Sequence, residues 1–144
     1  MYDTILLPVD GSDAATAALD HAGELAVTYG ATVHVLAVAD TRNRFESPSS
    51  GLAADAWAES QHDTAEAAID AAVKALPDGI DIERVEKEGV PEATILEYIG
   101  NHGVDLVVMG THGRTGLDHY LIGSVTEDIV RKSEVPVLTV RLSE

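Results

Sequence analysis

Gly110, Gly113 and Gly123 fall in a G-x2-G-x9-G pattern, and Ser124, Val125 and Thr126 follow at once. Glycine has no Cβ, so its backbone can take positive φ and lie close against a ligand. The apolar run Asp105 to Met109 comes just before the pattern, and an amphipathic stretch, Val125 to Arg131, comes just after. The glycines therefore sit on a loop that leaves a buried strand and enters a helix. A helix N-terminus offers unpaired N–H donors and a partial positive charge, which together favour phosphate. Cradling a phosphate is the chemistry this spacing suits. On spacing alone, a loop whose glycines only serve its turns fits equally well.

Two other phosphate signatures are missing. No G-x-x-x-x-G-K-[ST] occurs, no lysine lies between Lys87 and Lys132, and there is no G-x-G-x-x-G fingerprint.

The elements that must hold this loop can be read along the chain. Thr4 to Val9 is a short apolar strand, with Asp10-Gly11-Ser12 as its exit. Ala15, Ala18, Leu19, Ala22, Leu25, Ala26 and Tyr29 form one helical face, stopped by Gly30. Thr32 to Ala39 is a second strand, and residues 40–51 form a loop. Ala65, Ala68, Ile69, Ala72, Val73 and Leu76 mark a longer helix that Pro77-Asp78-Gly79 ends. Asp81 to Lys87 alternates apolar and charged residues, as an edge strand does. Pro91 opens a third helix with Ile95, Leu96 and Ile99 inward, and Asp105 to Met109 is the fourth strand. Ser124-Val125-Thr126-Glu127 matches a capping box, so the last helix begins at Ser124, and Val137 to Leu142 is the fifth strand.

Five alternations of strand and helix predict a doubly wound parallel sheet. One domain over residues 1–144 is expected, with no repeat or linker. Ligands of such sheets sit at carboxyl strand ends where strand order reverses. Order 3-2-1-4-5 brings Pro8-Val9-Asp10 and Met109-Gly110 to one crevice and puts the charged third and Pro-led fifth strands at the edges.

The formal net charge is −16, from 25 acidic against 9 basic residues. This excludes nucleic acid and anionic membrane as default partners. Molar salt shortens screening to about 3 Å and would remove the self-repulsion, which fits a halophilic host; an ordinary acidic cytosolic protein is the competing reading. Cysteine is absent, so thiol chemistry and disulfides are excluded. No apolar run of membrane-spanning length occurs, and the start of the chain lacks a basic signal region, so a cytoplasmic location is expected.

The pieces ILLPVDGS, VAD, VVMGTHGRTGL, LIGSVTEDIVRKS and VPVLTV span the chain and resemble the nucleotide-binding universal stress proteins. The G-x2-G-x9-G-[ST] pattern is that family's nucleotide signature and is intact. The resemblance implies a Rossmann-like fold of the adenine nucleotide α-hydrolase type. It implies ATP as ligand, or ADP or AMP, with Mg²⁺ or Mn²⁺ carried on the phosphates. Asp10, with Pro8 and Val9, would lie by adenine and ribose, and Val38 would line the adenine. Met109 and Gly110 would pass beneath the nucleoside, and His112 and Gly113 would approach the phosphates. Gly123, Ser124, Val125 and Thr126 would hold the phosphates through backbone N–H groups and the two hydroxyls. An antiparallel homodimer through strand 137–142 is also implied, with the protein partner unspecified.

Several residues keep two readings. Asp10 is a ribose or metal-side ligand, or a turn residue. Arg114 touches the γ-phosphate or lies in solvent. Arg42 and Arg44 form a lid, or belong to a solvated loop. His112 is a contact rather than a base, since no acid–base partner is evident. His112 with His119 makes a weak metal pair, and Trp57 reads as packing.

Three functions compete. The first is a nucleotide-binding stress-response module that signals through occupancy, with or without slow hydrolysis. The second is an enzyme of the same fold that hydrolyses ATP or adenylylates a substrate. Its S-G-G-x-D-S loop is missing, since Asp10-Gly11-Ser12-Asp13 stands there. The third, a phospho-accepting receiver, lacks its acidic pair and late lysine.

Overall fold

The first strand, β1 (Thr4–Pro8), has its middle three residues buried, as a strand covered on both faces requires. The computed structural model describes residues 1–11, 13–40, 51–111 and 124–141, with backbone alone for 13, 14 and 51–58. The arginines at 42 and 44, the Trp57 side chain, His112, Gly113, Arg114, His119, Gly123 and Leu142 lie outside what is described.

The remaining elements are α1 (Asp13–Tyr29), β2 (Thr32–Asp40), α2 (Gly51–Ala75), β3 (Asp81–Gly89), α3 (Pro91–Asn101), β4 (Leu106–Gly110), α4 (Ser124–Lys132) and β5 (Val137–Val140). The five strands form one sheet, all parallel, in the order β3-β2-β1-β4-β5. This is the doubly wound order expected from the sequence. Strand bounds move by one or two residues: β1 ends at Pro8, β3 runs on to Gly89 and β4 spans Leu106–Gly110.

Alternation along each strand feeds two cores. Ile5, Leu7, Val33, Val35, Leu106 and Val108 pack under α1 and α2. Leu6, Leu36, Val107 and Met109 pack under α3 and α4, against Ile95, Ile99 and Ile129. The expected α1 face is buried at Ala15, Ala18, Leu19, Ala22 and Ala26. Tyr29 is exposed, but its ring meets Tyr2 edge-on at 5.1 Å. Gly23 on α1 is needed for close approach, because a Cβ there would lie 2.7 Å from Pro77 Cδ.

β3 is the charged edge. Arg84 pairs with Asp70 of α2. His62 of α2 stands between Glu86, at 2.6 Å from Nδ1, and Glu88, at 3.4 Å from Nε2. Neutral imidazole has only one N–H, so donating to both carboxylates takes the imidazolium. The hydrogen bond that His62 donates to Glu86 raises the His62 pKa above its usual 6.5.

Candidate functional site

The sheet opens where its order reverses. β1 pairs with β2 through Pro8↔Leu36, and the Val9 N–H donates to the Leu36 carbonyl at 2.8 Å. On the other side β1 pairs with β4 only as far as Leu6↔Val107. β4 meanwhile follows β5 to Gly110↔Val140, and the Thr111 N–H reaches the Val140 carbonyl at 3.1 Å. The β1–β4 ladder thus stops short, while each strand runs on beside its outer neighbour.

Proline supplies the reason. In a parallel strand the N–H and C=O of one residue point to one side, and the side alternates along the chain. Asp3 and Val9 turn to β2, accepting from Thr32 N–H and donating to Leu36, whereas Thr4 turns to β4 and accepts from Asp105 N–H. Even-numbered positions of β1 therefore face β4. Position 8 would donate the next rung, and Pro8 has no N–H to give. A proline inside a central strand is otherwise out of place. Here it ends one ladder without disturbing the other.

The same alternation on β4 turns Val107 and Thr111 toward β5, where they donate to Pro136 and Val140. Gly110 therefore turns its N–H and C=O toward the crevice. Its carbonyl accepts a 2.8 Å hydrogen bond from Thr126 Oγ1, in the first turns of α4. Thr126 is 5% exposed.

The expected site residues divide accordingly. Met109 is buried, and half-buried Val38 and Val125 pack against the same core under α3 and α4. Val9 sends its side chain into the other core, so only its backbone is available at the crevice. Asp10 is half-buried just beyond β1, and Gly11 after it has φ +81°, a turn that side-chain-bearing residues rarely make. Ser124 is exposed at the start of α4. The Thr126 hydroxyl, one of the two expected to face a phosphate, donates to the Gly110 carbonyl. Among the described residues no group of three or more His, Asp or Glu side chains is placed to hold a metal ion.

A second polar cluster lies away from the crevice, and sequence reading missed it. His34 Nδ1 is 2.6 Å from the Tyr98 hydroxyl. Tyr98 stacks on His102 at 3.8 Å between centroids, and His102 Nδ1 donates to the Tyr98 carbonyl at 3.1 Å. Burial lowers the His34 pKa and raises that of the Tyr98 phenol. Both shifts fit a neutral imidazole accepting from a neutral phenol. Tyr98 continues the inward stripe of Ile95 and Ile99, which is the signal that marks it.

The sequence model of the universal stress protein family matches residues 1–141. Universal stress protein MJ0531 of Methanocaldococcus jannaschii is 35% identical, over 98% of this chain and 83% of its own. The solved UspA of Lactobacillus plantarum superposes with a TM-score of 0.83 at 28% identity, covering 97% of this chain and 98% of the other. A universal stress protein solved in complex with cAMP superposes at 0.64 with 27% identity, covering 99% and 98%. The sheet order, the strand pairing and these likenesses agree, and the chain belongs to the universal stress protein family.

Proposed function

We propose that this chain binds an adenine nucleotide, ATP first among them, in the crevice between the ends of β1 and β4, and acts as a nucleotide-dependent stress-response module. The observation that carries the reading is the opening of the sheet at Pro8 next to the end of β4, where Gly110 begins the G-x2-G-x9-G-S pattern. The relative held with cAMP supports an adenine nucleotide as the ligand class.

In this reading Asp10 takes the ribose, and Val38 and Met109 flank the base. Gly110 passes with Met109 beneath the nucleoside, and His112 and Gly113 approach the phosphates with Arg114 beside them. Gly123, Ser124, Val125 and Thr126 hold the phosphates from the α4 N-terminus, chiefly by backbone N–H groups. A nucleotide triphosphate adds charge to a chain already at −16. Long-range attraction is therefore adverse, and local donors, the helix dipole and a phosphate-borne Mg²⁺ or Mn²⁺ supply the affinity. Micromolar binding corresponds to about 8 kcal/mol, within reach of a modest pocket. Occupancy of this crevice is the signal.

Gly113→Val or Gly123→Val tests the reading, because either places bulk against the ligand. Loss of ATP binding in folded variants is the expected result. Unchanged ATP affinity in both would remove the site.

A further inference from the structure

We infer that the Thr126 side chain positions the phosphate end of this site, acting through the Gly110 carbonyl and not as a hydroxyl donor to the ligand. The inference rests on the nucleotide reading above.

Gly110 turns its peptide edge toward the crevice, and its carbonyl carries a partial negative charge there. The Thr126 hydroxyl, on a residue only 5% exposed, donates to that oxygen at 2.8 Å in a part-buried bond. A carbonyl that loses its donor regains its full negative potential. The same bond spans 16 residues. It ties the end of β4 to the first turns of α4, the two stems between which residues 111–123 run. It thereby fixes where the α4 N-terminal amides stand relative to the strand ends. A Thr126 hydroxyl committed in this way is not a phosphate donor, and its removal acts on the triphosphate end while leaving the nucleoside end alone.

The test compares ATP with adenosine on wild-type protein, Thr126→Val and Thr126→Ser. Thr126→Val keeps the shape and deletes the donor; Thr126→Ser keeps the donor. The expected result is about a tenfold loss of ATP affinity in Thr126→Val, adenosine affinity held within about twofold, and ATP affinity restored in Thr126→Ser. Thr126→Ala repeats the deletion if the valine variant does not fold. Wild-type ATP affinity in the folded deletion variant overturns the inference, as does an equal loss for ATP and adenosine, which marks a purely structural bond. Wild-type protein that binds neither ligand overturns the nucleotide reading itself and takes this inference with it.

Discussion

Asp105 and Thr4 hold each other twice. The Asp105 N–H donates to the Thr4 carbonyl at 2.9 Å, and the Thr4 N–H donates to Asp105 Oδ2 at 3.0 Å. The same carboxylate oxygen also accepts from the Asp3 N–H at 2.9 Å. β1 and β4 are thus clamped where they begin and separate where they end. The clamp lets the sheet split at Pro8 without losing the register of its two central strands.

Asp105→Ala removes an ionised acceptor from two backbone donors. The expected cost is about 2 kcal/mol, or roughly 6 °C in Tm. Thermal unfolding checks it, and a Tm within one degree of wild type would show that the clamp is dispensable.

Two histidines give stability opposite dependences on pH. The Glu86 hydrogen bond raises the His62 pKa, with Glu88 adding to it. Its contribution is present in full below 6.5 and is lost as pH rises through the folded-state value. Burial lowers the His34 pKa, with Glu83 opposing and His102 assisting. Its contribution is present in full above 6.5 and is lost as pH falls toward the folded-state value. His62→Gln should flatten the alkaline limb of a Tm–pH profile, and His34→Gln the acid limb. The His62 effect is small, because the pair is solvent-exposed, and molar KCl weakens it further while sparing that of His34. Identical profiles for wild type and both variants would refute this assignment.

The acidic surface predicts a salt requirement. With 25 acidic and 9 basic residues, self-repulsion dominates at low ionic strength and vanishes under molar screening. Tm should rise between low and molar KCl. A flat or falling Tm would discard the halophilic reading.

β5 is an edge strand with Leu138 at 36% exposure, while Val140 on the same face is buried. An apolar edge with open backbone groups invites a second copy. We expect a homodimer through strand 137–142 at micromolar concentration in high salt. Leu138→Lys should shift it to monomer in light scattering, and a wild-type monomer would contradict it.

Much of this was legible in the residues themselves. Asp81 to Lys87 alternates charge too strongly for an interior strand, and Pro136 leads a strand suited to an edge. Those two limits, with the glycine loop after the fourth strand, leave β1 and β4 as central neighbours. The capping pattern at Ser124 marks the start of α4, where the helix begins. What stayed hidden depends on direction. A sequence displays Pro8 but not which neighbour its missing N–H would face. It displays a hydroxyl at Thr126 beside a glycine pattern, but not the Gly110 carbonyl that takes it. Tyr98 follows the inward stripe of α3, but its partner His34 lies 64 positions away and meets it only once β2 and α3 pack.

The most direct measurement is calorimetric titration of ATP into wild-type protein and Gly123→Val in molar KCl, with and without Mg²⁺. One micromolar ATP site per chain, tightened by Mg²⁺ and lost in Gly123→Val, is the predicted result. Folded wild-type protein that takes up no ATP under either condition would contradict nucleotide binding in the crevice between β1 and β4.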